Sequence, residues 1–400
     1  MHLLWVKVGG LWPLNTGGRV RSFHTIAELA RRHQVTVLTT RAPGEEADGL
    51  ARELAHCEQV VAIPHAPLKR GDPRFPIALA RSWLSPHPLD LRKWRVPALA
   101  REVRRRLATG RFDLCVADFM FATPNVPLGG PVPVVLFAHN VEHLIWKRLC
   151  EAEPSAWQRA LLEVEWRKFR RSEAQACTAA ASTVAVSHVD AALLAAMCPT
   201  ARVRTIPTGV DVAYFAPNGH PVQPRRLVFS GSMDWYPNED AVLHFAGEIL
   251  PRIRQEVPHV SLTVVGRNPG PRLRAAASAA GIEMTGTVED VRPFIAEGAV
   301  YVVPLRIGGG TRLKIFEALA MGKPVVSTTI GSEGLALTPG VHFEQADDPA
   351  EFANAVVALL RNPTRRWNLA HAGRRLVEER YTWPRVAREF ENHCLEALSA

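Results

Sequence analysis

Apolar, β-branched runs recur along this chain, with helix-like stretches between them. HLLWVKV, QVTVLTT, QVVAIP, FDLCVAD, VPVVLFAHN and STVAVSH form a first set. RLVFSGS, SLTVVG, IEMTG, AVYVVPL, KPVVSTT and VHFEQA form a second. Continuous apolar strands alternating with helices are the pattern of parallel sheets covered on both faces. Two such sets predict an α/β chain of two Rossmann-like, doubly wound domains. The tract RTIPTGVDVAYFAPNGHPVQP, 204–224, is rich in Pro and Gly and has no helical period, so it reads as the linker. The expected division is therefore 1–204 and 205–383. YTWPRVAREFENHCLEAL reads as a final helix starting after Trp383-Pro384, because proline is well tolerated in a first helical turn. This helix, 384–400, is expected to fold back across the seam onto the first domain.

Composition narrows the picture. A chain of 400 residues is long for one core and agrees with two domains. No run of about 18 apolar residues exists, so no spanning helix is expected, and MHLLWVKVGGLWPLN reads as a first strand and not as a signal peptide. The cysteines at 57, 115, 150, 177, 198 and 394 make no CxxC pair, and the histidines make no HExxH pattern. Reduced, buried thiols, a cytoplasmic location and no metal are the expectations. The net charge of +9 is concentrated between Lys69 and Arg111, a stretch rich in arginine with Trp83 and Trp94 interleaved. Such a stretch reads either as a solvated arginine-rich face or as a contact for an anionic partner, whether membrane surface, phosphorylated acceptor or nucleic acid.

The most informative stretch is RIGGGTRLKIFEALAMGKPVV, 306–326. It joins two apolar strands through a helix expected from Thr311 to Ala320, with Gly308, Gly309 and Gly310 in front. Ligands of doubly wound sheets bind at the carboxyl ends of strands, where helices begin. Glycines there let backbone approach a phosphate, and the free N–H groups of a helix start favour an anion. Lys314 adds a point charge in the first turn, with Arg312 and Arg306 as further cations. Glu317, on the same face, is costly in an apolar helix unless donors meet it, and vicinal ribose hydroxyls are two such donors. The rival is a Lys314–Glu317 salt bridge with the glycines as loop chemistry. Strand, glycines, lysine, glutamate and strand together favour the ligand.

The run VVPLRIGGGTRLKIFEALAMGKPVVSTTIGSEG, 302–334, resembles the donor-site signature of glycosyltransferase family four, of the GT-B fold. LNTGGRVRSFHTIAELARRHQVTVLT, AHNVEH, VAVSH, IPTGVD, LVFSGSM and LTVVGRNP follow in that family's order, so the resemblance covers nearly the whole chain. It implies two Rossmann-like domains facing each other across a cleft. It also implies retaining transfer of a sugar from a nucleoside diphosphate sugar, with neither metal nor cofactor. Glu317 matches the second glutamate of the family's E-x7-E motif, the one that holds the ribose; the first falls at Gly309. The donor sugar's hydroxyls are then left to the backbone of Gly309, Gly310 and Thr311. After LVFSG the family often places an arginine and a lysine on the diphosphate. Here Ser232 and its neighbours stand instead, shifting that charge to Arg312 and Lys314. Arg267 and the backbone at Val288 are implied to flank the nucleobase.

In the first half, Gly17 and Gly18 precede a helix and read, taken alone, as a glycine turn with exposed arginines; the same anion argument offers the alternative of a contact with the donor phosphate, assisted by Arg19 and Arg21. His139 ends the strand PVVLFAH, where a histidine is placed to hydrogen-bond a sugar hydroxyl, and the resemblance implies that role. Glu142 and His143 are weaker candidates that could equally open the next helix. The expected catalytic group is His139, Lys314 and Glu317. The expected partners are a UDP- or GDP-sugar and a glycan, lipid-linked or small-molecule acceptor, with peripheral contact at the inner face of an anionic membrane as an option and no nucleic acid. Two rivals remain: an epimerase or hydrolase consuming the same donor, and a nucleotide-sugar-binding subunit without chemistry.

Overall fold

The computed structural model describes residues 1–43, 48–68, 71–217, 219–308 and 312–399. The chain divides into two compact units, 1–207 with 383–400 and 208–382. The boundary thus falls within the tract 204–224 and three residues after the expected division at 204.

Unit 1 is built on a parallel sheet. Its strands are β1 (His2–Lys7), β2 (Gln34–Arg41), β3 (Gln59–Pro64), β4 (Leu114–Asp118), β5 (Val134–Phe137), β6 (Ser182–Ala185) and β7 (Val203–Thr205). Their order is β3-β2-β1-β4-β5-β6-β7. The chain first adds strands to one side of β1, then crosses over and continues from β4 on the other. Lys7 and Asp118, the last residues of β1 and β4, are partners in register at this reversal. Every residue of β1 and β4 is buried, as expected for central strands covered on both faces.

Unit 2 repeats the plan with β8 (Arg226–Ser230), β9 (Ser261–Val265), β10 (Glu283–Gly286), β11 (Val300–Val303), β12 (Val325–Ser327) and β13 (Glu344–Gln345), in the order β10-β9-β8-β11-β12-β13. All the sheet pairings are parallel. The reversal lies between β8 and β11. The VHFEQA strand shrinks to two residues at the sheet's edge.

Two helix starts differ from expectation. Gly17 and Gly18 do not precede the first helix but form its first turn, Gly17–Ala30, because the Thr16 hydroxyl caps it by accepting the Arg19 N–H. The glycine-loop helix runs Leu313–Ala320, with Arg312 at its cap in a non-helical conformation; Gly309, Gly310 and Thr311 lie outside the described residues.

The final helix, Trp383–Leu398, belongs to unit 1 and packs on Gly17–Ala30. Phe390 is fully buried between Trp5 and Phe137, with ring centroids 5.5 and 5.0 Å away. His24 stacks on Trp383 at 4.8 Å, and Glu391 takes both Arg32 and His33. Of the six cysteines, all free, Cys57 alone is not buried.

The arginine-rich stretch folds into helices Phe75–Trp83, Leu89–Lys93 and Pro97–Leu107. Its charges are partly answered by Asp72, Asp90, Glu102 and Glu58. Arg81, Arg95, Arg101 and Arg104 are exposed and have no ion-pair partner among the described residues. Trp94 packs inward on His65, whereas Ile77, Trp83 and Leu84 face solvent, Leu84 with 92% of its surface accessible. Among the described residues no helix is long and apolar enough to cross a membrane.

Removing a fully buried phenylalanine costs about 3–5 kcal/mol. Phe390→Ala is therefore expected to lower the unfolding free energy of unit 1 by that amount in urea titrations. A loss under about 1 kcal/mol would mean that the final helix contributes little to this core.

Candidate functional sites at the two sheet reversals

In unit 2, β8 ends at Ser230 and the chain turns through Gly231. A Cβ on Gly231 would lie 2.7 Å from both the Lys314 ammonium and the Asn238 amide nitrogen. A Cβ on Gly266, after β9, would lie 1.7 Å from the Gly231 carbonyl oxygen. Both glycines are thus required by close approach. Helix Leu313–Ala320, entered from β11, sends Lys314 across the reversal to this turn. Its Nζ donates to Asn238 Oδ1 at 2.9 Å and lies 4.2 Å from the centre of the Phe229 ring. Asn238 is held in turn by donating to the Ser232 carbonyl at 2.9 Å. Lys314 therefore occupies the end of β8, where the loop itself supplies no cation.

Glu317 lies one turn further along. No ion pair joins it to Lys314, and its carboxylate makes no hydrogen bond among the described residues. The salt-bridge reading of this pair is not what the structure contains. Burial lowers the Lys314 pKa to about 7, Arg312 adding to the effect and Glu317 opposing it. Burial raises the Glu317 carboxyl to about 7 against the attraction of Lys314. A half-buried lysine and glutamate, neither neutralised by a direct partner, are groups poised for a ligand.

Around them, Ser232 Oγ accepts from Arg267 Nε at 2.7 Å, and Asp234 lies 3.9 Å from the same guanidinium. Val288 follows the edge strand β10 and is half-buried against the core. The other expected cations are turned to different tasks. Arg312 is buried, donates to the Ile330 carbonyl and lies against Gly308, bracing the loop. Arg306 forms a two-pronged pair with Asp240. Of Arg306, Arg312 and Lys314, it is the lysine that reaches the β8 turn.

In unit 1 the reversal also carries charge. Asp118, fully buried, accepts from Trp5 Nε1 at 2.7 Å, His139 Nε2 at 2.8 Å and Lys7 Nζ at 3.3 Å. Burial pushes the Asp118 carboxyl up, but Lys7 and the hydrogen bonds from His139 and Ser22 prevail, and it stays well below the usual carboxylate range. Burial takes His139 down to about 3, with Asp118 opposing and the cations Arg21 and Lys7 assisting. Phe119 stacks on the imidazole at 4.1 Å and sits at φ 75°, a rare conformation for a bulky residue. Gly18 is required here because a Cβ would strike the Phe119 ring at 2.8 Å. Arg19, expected to reach an anion, instead turns back to donate to the carbonyls of Gly9, Trp12 and Pro13, bracing the preceding loop. Arg21 is buried over the Phe137 ring and donates to the Ile206 carbonyl. Glu142 and His143 open helix Glu142–Ala152, their backbone N–H groups donating to Glu173.

Residue patterns missed Lys7, Asp118 and Asn238. The first two carry a readable signal: each is a lone charge at the carboxyl end of a fully apolar strand. Among the described residues no cluster of His, Cys, Asp or Glu is arranged to hold a metal ion.

The pKa shifts dictate how unit 2 responds to pH. Between about 4.5 and 7 the folded state holds the Glu317 proton more tightly than the unfolded chain, so stability falls as pH rises. Between about 7 and 10.5 the unfolded chain binds the Lys314 proton more tightly, so stability rises with pH. The two groups together put a trough near neutrality. Glu317→Gln is expected to melt higher than wild type at pH 8 and to show no gain at pH 4. Equal shifts at both would show that the carboxylate is not desolvated.

Comparison with known proteins accords with this architecture. The model of Glycosyltransferase Family 4 matches residues 16–214, and that of Glycosyl transferases group 1 matches residues 224–362. A phosphatidyl-myo-inositol mannosyltransferase of Mycobacterium tuberculosis is 33% identical over 196 residues, covering 46% of this chain and 51% of that protein. The chain thus spans about half the length of the curated relatives it matches. Among solved structures, sucrose-phosphate synthase from Thermosynechococcus elongatus superposes with a TM-score of 0.74 at 16% identity, covering 100% of both chains. Anabaena HepE in complex with UDP-glucose superposes with a TM-score of 0.66 at 14% identity, also covering 100% of both. At such identities the likeness shows the fold, which is GT-B. The matched family models, the fold and the Lys314–Glu317 helix lead to one conclusion: the chain belongs to glycosyltransferase family four.

Proposed function

We propose that this protein is a retaining glycosyltransferase that moves a hexosyl group from a UDP- or GDP-sugar to a glycan, lipid-linked or small-molecule acceptor. The observation that carries the reading is Lys314. Its ammonium lies at the carboxyl end of β8 on a neutral amide and an aromatic face, with no carboxylate in contact. A diphosphate supplies the missing counter-charge. Glu317, without a hydrogen-bond partner among the described residues, supplies acceptors for vicinal ribose hydroxyls. Ser232, Arg267 and Val288 are proposed to line the nucleoside side, and Gly309, Gly310 and Thr311 to meet the sugar and its phosphate. Gly17 and Gly18 keep the anion role that a glycine helix start suggests. A mannosyltransferase among the relatives and a UDP-glucose complex among the structural neighbours favour a hexosyl donor without deciding its base.

In the proposed reaction the anomeric carbon–phosphate oxygen bond breaks and the acceptor oxygen bonds the same carbon on the same face. The acceptor's proton passes to the leaving phosphate oxygen, so no protein nucleophile is needed. Lys314 stabilises the charge that builds on the leaving diphosphate, the kind of electrostatic contribution that commonly dominates catalysis. His139 orients a sugar hydroxyl. Turnover of donor only with acceptor present supports this reading. Turnover without acceptor favours an epimerase or hydrolase, and binding without turnover a non-catalytic subunit.

Lys314→Ala is expected to cost about 1.5–3 kcal/mol in nucleoside diphosphate binding, the range of a charge-assisted contact, or roughly ten- to hundredfold in Kd. Glu317→Gln is expected to weaken nucleoside diphosphate binding while sparing inorganic pyrophosphate. Calorimetry that finds both affinities unchanged would remove the donor site from this helix.

We also propose that Ile77, Trp83 and Leu84, with the unpaired Arg81, touch an anionic membrane surface, where each basic residue is worth about 1 kcal/mol. Co-sedimentation is expected with anionic vesicles and not with neutral ones, and to fade with salt. Equal, negligible binding to both at low salt would refute it.

A further inference from the structure

A carboxylate can only accept hydrogen bonds. The Asp118 carboxylate, held ionised by the adjacent Lys7 ammonium, lies 2.8 Å from His139 Nε2. The proton of a neutral His139 is therefore on Nε2, and Nδ1 carries a lone pair. Nδ1 makes no hydrogen bond among the described residues. It lies 3.8 Å from the position of a Cβ on Gly18, at the first turn of helix Gly17–Ala30. The ring cannot turn over freely, because Phe119 stacks on one face and Phe137 leans on it at 4.5 Å. Nor does a second proton settle on Nδ1. The groups facing the imidazole are Lys7 from β1, Arg21 from helix Gly17–Ala30 and Asp118 from β4, two cations against one anion. The remaining nearby carboxylate, Asp190, acts on Arg21.

We propose that Lys7 and Asp118 are positioning residues that lock His139 in one neutral tautomer, so that it meets a substrate hydroxyl only as a hydrogen-bond acceptor through Nδ1. The lock rests on the reading of unit 1 as part of a sugar-transfer enzyme only for its purpose; the tautomer itself follows from the geometry. Its consequence is selectivity. The imidazole rewards a ligand group that donates, such as a sugar hydroxyl, and penalises an ether or a deoxy position, which would cover the Nδ1 lone pair without answering it. It also makes the contact independent of pH across the physiological range, unlike an ordinary surface histidine.

The test reads the tautomer directly. Nitrogen-15 imidazole spectra of the full-length protein, assigned with His139→Gln, are expected to show His139 as Nε2–H only, with no titration between pH 5 and 8. An Nδ1–H ring, a mixture of tautomers, or titration near pH 6.5 overturns the lock. In Asp118→Asn the amide can donate to Nε2, so Nδ1–H signal is expected to appear. Turnover should fall at least tenfold, with nucleoside diphosphate Kd within twofold of wild type. Lys7→Met leaves Asp118 as sole acceptor and keeps the tautomer, but is expected to bring the imidazole's titration up into the measured range. Should Asp118→Asn fail to fold, the wild-type and Lys7→Met spectra still decide. A locked ring in a protein that transfers no sugar contradicts the transferase reading and leaves the lock intact. A mobile ring in an active transferase contradicts the lock alone.

Discussion

Each unit depends on one topological constraint. A doubly wound parallel sheet must reverse the direction in which strands are added, and at that point the connections leave two adjacent strands on opposite faces. The carboxyl ends of β1 and β4 in one sheet, and of β8 and β11 in the other, are therefore not capped by the connections that leave them. Buried strands bring side chains to these ends at no cost in backbone hydrogen bonding, so charge can be placed there with rigid support. The Lys7–Asp118–His139 cluster and the Lys314–Glu317 helix sit at these two places.

The clusters solve burial of charge in opposite ways. In unit 1 Lys7 and His139 both donate to Asp118, at 3.3 and 2.8 Å, and Trp5 adds a third donor, so the buried carboxylate is answered within the protein and, among the described residues, only His139 Nδ1 is left open. A buried ion pair of this kind is weak evidence for stability and better understood as a device that fixes geometry. In unit 2 Lys314 has an amide and an aromatic ring for company, and Glu317 makes no hydrogen bond or ion pair among the described residues. That set is open. Buried charge of this kind costs stability in the free protein, and under the proposed function an anion and hydroxyl donors would offset that cost, a common compromise between stability and function.

Much of this was legible in the chain. Continuous apolar strands alternating with helices announced two parallel sheets, and Lys314 with Glu317 in an apolar helix marked the place where the structure leaves two charges without an ion pair between them. The direction of the arginines was not legible, because a guanidinium can serve any oxygen within reach. Arg19 and Arg312 found backbone carbonyls, and Arg306 found Asp240. Gly18 shows a similar limit: a glycine at a helix start suits an anion, but the Phe119 ring 2.8 Å from where its Cβ would stand left no mark in the sequence. The Lys7–Asp118 pair was hidden by distance, since 111 residues separate partners that only strand register brings together. Asn238, buried in the first turn of helix Tyr236–His244, carried no sequence signal, as a lone asparagine has many uses.

The central claim is that the open cluster of unit 2 is completed by a nucleoside diphosphate. A crystal of the protein grown with UDP or GDP tests it without recourse to variants. The account predicts density for a diphosphate oxygen within hydrogen-bonding distance of Lys314 Nζ, with Asn238 released or shared, and ribose hydroxyls on the Glu317 carboxylate. A nucleotide seated away from the turn at Gly231, with Lys314 still held by Asn238 alone, would contradict it.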